Sequence, residues 1–80
     1  MKIHLGGGLN FYDPQKRVFF EIKLATNMSL SEVLKILHIP KGELFIVVLN
    51  GEAYSLDHNF NEIFIQENDT LELFPPVGGG

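Results

Sequence analysis

The end of the chain carries the residues best suited to chemistry. It consists of two prolines, a valine and three glycines: Pro75, Pro76, Val77, Gly78, Gly79 and Gly80. The prolines keep the backbone extended and lack the N–H that a sheet requires, so the preceding strand is predicted to end before them. Glycine has no Cβ, so residues 75–79 are predicted to thread a narrow tunnel and present the Gly80 carboxylate to another enzyme's active site. The alternative is a frayed chain end.

Other residue types that often do chemistry are poorly arranged. The histidines, His4, His38 and His58, lack the paired spacing of metal ligands. Asp57 and His58 form an adjacent acid–base pair, but their polar surroundings offer no nucleophile. The glycine triplet 6–8 is followed neither by a helix nor by a Gly-Lys-Ser/Thr sequence, so we interpret it as a hairpin irregularity rather than a phosphate loop. We therefore predict no metal site, no cofactor and no catalytic centre built from side chains.

Composition excludes several classes of function. The 80 residues fit one globular domain, and the absence of cysteine excludes disulfides, thiolate metal sites and cysteine nucleophiles. The net charge is −4, and every lysine and arginine lies at or before Lys41, which disfavours nucleic acid as a partner. The longest apolar run, residues 44–49, is too short to cross a membrane. The N-terminus lacks the pattern of a secretory signal, so we expect a cytoplasmic protein.

A hairpin and a helix are predicted in the first half of the chain. Residues 2–5 and 9–12 form the two segments of a first arm that is bulged at the glycines, and residues 17–24 alternate as the second arm. Ser29 and Glu32 match a capping box, and apolar residues follow at helical spacing until a proline ends the helix.

The second half of the chain is predicted to complete a mixed sheet. Residues 44–49 are apolar without alternation, which is typical of a strand covered on both faces. Asn50-Gly51 indicates a tight turn before a short return strand. The last strand, residues 70–74, most economically lies beside the first and parallel to it, with the helix as the crossover. The fold class is therefore α+β, a β-grasp (ubiquitin-like) arrangement with one main helix packed on one face.

Two aromatic side chains are predicted on the sheet face opposite the helix. The alternation of their strands turns Phe19 and Phe74 outwards, with Val47 or Ile46 between them. Exposed apolar patches on small domains often bind partners, although single exposed aromatic residues are also common. We interpret Phe19 and Phe74 as partner-binding residues. The domain is assigned to residues 1–77, and residues 78–80 form a flexible tail.

The ending resembles the MoaD/ThiS family of sulfur carrier proteins, most closely the small subunit of molybdopterin synthase. That subunit typically ends in a phenylalanine, two prolines, a valine, a small residue and two glycines, which residues 74–80 match. Residues 67–73 also resemble the family's turn and last strand, with Asn68 where glycine is usual. Asparagine tolerates the left-handed conformation, so the turn should survive this departure. The resemblance covers nearly the whole chain in the order of its elements.

The resemblance implies a protein cosubstrate rather than an enzyme. A ubiquitin-activating-like enzyme would adenylate the Gly80 carboxylate, and a sulfur donor would displace AMP to leave a thiocarboxylate. The tail would then enter the large subunit of a sulfur-accepting synthase. The double proline favours molybdopterin biosynthesis over the thiamine pathway. Alternatives are a carrier for thiamine or another pathway, a ubiquitin-like modifier joined to lysines through Gly80, and a domain that only binds partners.

Overall fold

The computed structural model describes residues 1–24 and 27–76. In chain order the elements are β1 (Lys2–Leu5), a 3-10 helix (Leu9–Tyr12), β2 (Phe19–Glu21), β3 (Met28–Ser29), α1 (Leu30–Leu37), a 3-10 helix (Lys41–Glu43), β4 (Ile46–Leu49), β5 (Glu52–Ser55), a 3-10 helix (Phe60–Glu62), β6 (Phe64–Ile65) and β7 (Thr70–Phe74). Val77 and the tail assigned to residues 78–80 lie outside the described residues. Within the described part, no helix combines the length and the apolar character needed to cross a membrane.

Five strands form one mixed sheet in the order β2-β1-β7-β4-β5. β1 and β7 lie side by side and parallel, with Ile3 opposite Leu71 and Leu5 opposite Leu73. The other neighbouring strands of this sheet are antiparallel. Parallel neighbours need a crossover connection, and the chain between them includes α1. The predicted β-grasp architecture, with the last strand beside the first, is confirmed.

The core lies between α1 and the inner face of this sheet. One cluster joins alternate residues of the central strands with the apolar stripe of the helix: Ile3, Leu5, Leu30, Val33, Leu34, Val47, Leu71 and Leu73. Leu71 and Leu73 are fully buried, which confirms the predicted inward parity of the last strand. Successive side chains of a strand point to opposite faces of the sheet. The side chains of Thr70, Glu72 and Phe74 therefore point to the outer face.

The predicted capping box starts α1. The Ser29 hydroxyl oxygen accepts a hydrogen bond from the Glu32 N–H, and the Glu32 carboxylate accepts one from the Ser29 N–H, both at 3.2 Å. The helix ends at Leu37, because His38 adopts a left-handed conformation with φ 60°. This turn directs Ile39 into the core, where it is 4% exposed.

One predicted strand segment is wrong. Residues 9–12 form a 3-10 helix instead of resuming β1, because Gly7 and Gly8 have φ values of 57° and 88° and turn the chain out of the sheet. Leu9 N–H then donates to Gly6 O at 3.0 Å, and the Leu9 side chain is buried.

The expectation that residues 44–49 are covered on both faces is also wrong. The strand starts at Ile46, and Val47 faces the core, but Ile46 and Val48 on the other side are only half-buried. Phe45, just before the strand, is 59% exposed. On this outer side Ile46 lies opposite Phe74, and Val48 lies opposite Glu72.

Candidate functional site

The tail begins at the end of β7, which lies between β1 and β4 in the sheet. Gly6 N–H donates to Leu73 O at 2.9 Å, and Phe45 N–H donates to Phe74 O at 2.8 Å. The segments on the two sides of β7 therefore each donate a hydrogen bond to one of the last two carbonyl groups of β7. Pro75 and Pro76 follow, and neither has an N–H to extend the ladders. The tail thus starts from a fixed base rather than from a loop.

Gly6 and Gly7 make room for this base, and we call these two residues the glycine seat. A Cβ atom built on Gly6 would lie 2.6 Å from Phe74 Cδ1. One built on Gly7 would lie 2.5 Å from Pro75 Cγ and 2.6 Å from its Cδ. Real Cβ atoms essentially never come within 3.0 Å of a heavy atom outside their own and the neighbouring residues. Gly7 also has φ 57°, which L side chains rarely adopt. The rings of Phe74 and Pro75 therefore approach a backbone surface that a side chain would block.

The sequence pattern alone does not reveal the glycine seat, because a simple hairpin irregularity would show the same glycine triplet. The signal that could have found it is the predicted parallel pairing of the first and last strands. In that register, Leu5 lies opposite Leu73, so Gly6 comes beside Phe74.

An aromatic cluster of His4, Phe19 and Phe74 lies on the outer face next to the seat. The His4 ring stacks on Phe19 with ring centroids 4.4 Å apart and an interplanar angle of 9°. It meets Phe74 edge-on, with centroids 5.6 Å apart. His4 Nδ1 lies 3.2 Å from Glu72 Oε2, which fixes the imidazole between the two phenyl rings. Phe19 is 72% exposed and Phe74 is half-buried. We call these three residues the outer aromatic cluster.

The structure brings Phe19 and Phe74 to one face, but the predicted link between them is wrong. Neither Ile46 nor Val47 separates them, because β1 rather than β4 lies between β2 and β7. The connecting residue is His4. Ile46 lies opposite Phe74 on the other side and extends the apolar surface, whereas Val47 faces the core.

Asp13 fixes the connection that leads into β2 and therefore helps to place Phe19. Its carboxylate accepts backbone hydrogen bonds from Gln15 and Arg17 at 3.2 and 2.9 Å and two from the Arg17 guanidinium at 3.0 Å. These bonds, chiefly those from the Arg17 side chain, lower the pKa of Asp13 from 3.8 to about 2. The same guanidinium lies 4.3 Å from the centre of the Phe20 ring, so it joins the connection to the strand.

The other sequence candidates lie on other elements. His38 closes α1, as described above. His58 contacts Ser55 and meets Tyr54 edge-on, with ring centroids 5.2 Å apart. Nearby, the hydrogen bond from the Tyr54 hydroxyl to Glu52 raises the pKa of that tyrosine. Among residues 1–24 and 27–76, no group of three His, Asp or Glu side chains is arranged to hold a metal ion.

Comparison with known proteins gives one family model and a set of solved structures. The model of the ThiS family matches residues 10–80. A crystal structure of a thiamine biosynthesis protein (ThiS) from Geobacter metallireducens is 22% identical, covers the whole of both chains and has a TM-score of 0.62. An NMR structure of a thiamine biosynthesis protein from the same organism is 22% identical, covers all of this chain and 88% of that one, and has a TM-score of 0.59. These two likenesses concern the fold. No curated protein matches the chain.

Proposed function

Because the chain belongs to the ThiS family of sulfur carriers, we propose that its Gly80 carboxylate is adenylated and converted to a thiocarboxylate that delivers sulfur. Members of this family are small carrier proteins rather than enzymes, and so is this chain. The observation that carries the proposal is the base of the tail. There β7 ends at Phe74 in hydrogen bonds from both sides, and two prolines direct the chain out of the sheet.

The chemistry follows from the low reactivity of a carboxylate. Attack of a Gly80 oxygen on the α-phosphate of ATP releases pyrophosphate and gives an acyl adenylate, in which AMP is a good leaving group. A sulfide equivalent then attacks the carbonyl carbon and expels AMP, which leaves the thiocarboxylate. Both steps require the carbonyl carbon to enter the partner's active site, and residues 78–80 have no side chains to obstruct that entry.

The partner that adenylates the tail is proposed to dock on the outer aromatic cluster. Phe19 offers an exposed ring, and Phe74 joins this surface directly to the base of the tail. A partner seated there would lie next to the chain that it must capture. A ubiquitin-activating-like enzyme fits this role, and the large subunit of a sulfur-accepting synthase would use the same surface afterwards. Since the first step consumes ATP, we place the protein in the cytoplasm.

Two acceptors of the sulfur are candidates. The ending from Phe74 to Val77 resembles the small subunit of molybdopterin synthase and favours donation to a pterin precursor. The structural neighbours are thiamine biosynthesis proteins, and their names favour the thiamine pathway. The test is to offer the thiocarboxylated protein separately to the large synthase subunit with its pterin precursor and to a thiazole-forming synthase. Loss of the thiocarboxylate with formation of only one product identifies the acceptor.

Intact-mass spectrometry tests sulfur carriage itself. The protein is incubated with the adenylating enzyme of its own organism, ATP and sulfide. A mass increase equal to the exchange of one oxygen for sulfur supports the carrier. Adducts joined to lysines of other proteins would instead identify a ubiquitin-like modifier, and an unchanged mass would overturn both.

A further inference from the structure

We propose that the glycine seat is a positioning element that fixes the direction in which the tail leaves the sheet. The inference rests on the proposed function, because it concerns how the Gly80 carboxylate reaches the adenylating enzyme's active site. It assigns to Gly6 and Gly7 a role in the reaction although they lie at the other end of the sequence.

The first observation is that the close approach is confined to the two seat residues. Gly6 faces the edge of the Phe74 ring, and Gly7 faces Cγ and Cδ of Pro75. A Cβ atom on Gly8, by contrast, would meet nothing within 4 Å, although Gly8 also has a positive φ of 88°. The third glycine thus serves the turn, and only the first two accommodate the tail.

The second observation is that the seat itself is held firmly. Gly6 N–H donates to Leu73 O at 2.9 Å, which joins the seat to β7. Gly6 O accepts from Leu9 N–H, and Gly8 O accepts from Phe11 N–H, each at 3.0 Å. Since the Leu9 side chain is 4% exposed, the 3-10 helix after the seat is anchored in the core. The backbone that Phe74 and Pro75 pack against is therefore held by hydrogen bonds on both sides.

The third observation is that Phe74 is enclosed from two further directions. His4 meets its ring edge-on, and Phe45 N–H holds its carbonyl oxygen. Pro75 follows with a φ restricted to about −65° by its own ring, and that ring lies against Gly7. Two successive residues at the tail base thus have little freedom to change direction.

Direction at the base matters because, once a partner holds the tail extended, a small tilt at Pro75 displaces the tip over the whole length of the tail. The five residues 76–80 reach at most roughly 17 Å when extended, so a tilt of about 10° at Pro75 moves the tip by about 3 Å. A misplacement of about 1 Å can cost on the order of a hundredfold in rate. A seat that holds the base within a few degrees would therefore increase the rate of adenylation without any contact with ATP.

The matched pair Gly7→Ala and Gly8→Ala tests this role. Both substitutions place a side chain at a positive φ, but only the methyl group introduced at position 7 meets Pro75. The measurement is ATP–pyrophosphate exchange with the adenylating enzyme of the same organism, below the melting temperature of both variants. We expect Gly7→Ala to lower kcat by about tenfold or more, with KM changed by less than about twofold because the docking surface is intact. Gly8→Ala should leave both constants within about twofold of the wild type.

A double-mutant cycle separates a collision with Pro75 from a general loss of structure. Pro75→Ala removes the Cγ and Cδ atoms that the new methyl group would meet. The double variant Gly7→Ala/Pro75→Ala should therefore exchange no more slowly than Pro75→Ala alone, which is strong coupling between the two sites. Losses that simply add, or a Gly7→Ala variant as active as Gly8→Ala, would overturn the role of the seat.

A measurement on the wild-type protein keeps the inference testable should Gly7→Ala fail to fold. We expect nuclear Overhauser contacts between the Gly7 α-protons and the Pro75 δ-protons, and their absence would overturn the seat. This readout does not depend on the adenylating enzyme. Failure of the wild type to support exchange would overturn the proposed function instead, so the two failures are distinguishable.

Discussion

The imidazole of His4 lies almost parallel to the phenyl ring of Phe19, with an interplanar angle of 9°, although the two residues belong to different strands. They are direct partners in the antiparallel register of β1 and β2. An exposed phenylalanine usually samples several rotamers, but this stack favours one. Phe19 is therefore presented to solvent in a fixed orientation, and a partner that binds it loses little conformational entropy.

Phe19→Ala should weaken binding to the adenylating enzyme more than it weakens folding. Phe19 is 72% exposed and its main packing contact is the cross-strand stack on His4, so its truncation is expected to lower the free energy of unfolding by at most about 1 kcal/mol. If it is a central contact, its loss should raise KM in the exchange assay by about fivefold or more, equivalent to about 1 kcal/mol or more. Phe11→Ala is the matched control, because Phe11 is 70% exposed but lies outside the outer aromatic cluster. Equal KM values for the Phe19 and Phe11 variants would contradict the docking surface.

Leu71→Ala should destabilise the domain by about 2–5 kcal/mol, because the substitution leaves a cavity in a fully buried site. Urea denaturation followed by circular dichroism measures this loss. Thr70→Ala, at the exposed neighbouring position of the same strand, should cost far less. A loss below about 0.5 kcal/mol for Leu71→Ala would mean that the register of β7 is wrong.

Asp13→Asn should remove part of the acid sensitivity of the fold. Because its pKa is lowered from 3.8 to about 2 by the Arg17 side chain, the Asp13 carboxylate stabilises the folded state above the unfolded pKa. That contribution is lost as the pH falls from 3.8 towards 2. The wild type should therefore be more stable than Asp13→Asn near neutral pH, and the difference should shrink as the pH approaches 2. Urea midpoints across this range measure the effect, and a constant difference would contradict it.

Deletion of Gly80 should abolish sulfur loading while the fold stays intact. It withdraws the terminal carbonyl carbon by about 3.3–3.6 Å, which removes it from attack distance of the ATP α-phosphate. Addition of one residue should fail equally, because the Gly80 carboxylate becomes part of a peptide bond. The melting temperature should be unchanged for both, since neither touches the core. Exchange at the wild-type rate after the deletion would contradict the role assigned to Gly80.

The parts of this fold that the sequence predicts are those governed by local periodicity. Alternation alone predicted that Leu71 faces the core and Phe74 faces away from it, and the capping box predicted that α1 starts after Ser29. The parallel placement of β7 followed from the order of the elements. The outward direction of Phe19 followed in the same way from the alternation of its own segment.

The parts that the sequence did not predict depend on contacts between distant segments. The need for glycine at position 7 arises from Pro75 as well as from its positive φ, and no local pattern relates positions 7 and 75. The role of His4 was not predicted, although the order of β2, β1 and β7 was, because alternation does not show that its ring would stack on Phe19 and meet Phe74 edge-on. The half-buried outer side of β4 was missed because a strand buried on both faces and a strand with one partly exposed apolar face can have the same composition.

In evolutionary terms, the contact between Gly7 and Pro75 should make substitutions at these two distant positions depend on each other. A lineage that acquires a side chain at position 7 should first, or at the same time, replace the proline at position 75. The tail thereby limits which substitutions the first hairpin can accept, even at positions that do not pack in the core. An alignment of relatives in which the two positions vary independently would contradict this constraint.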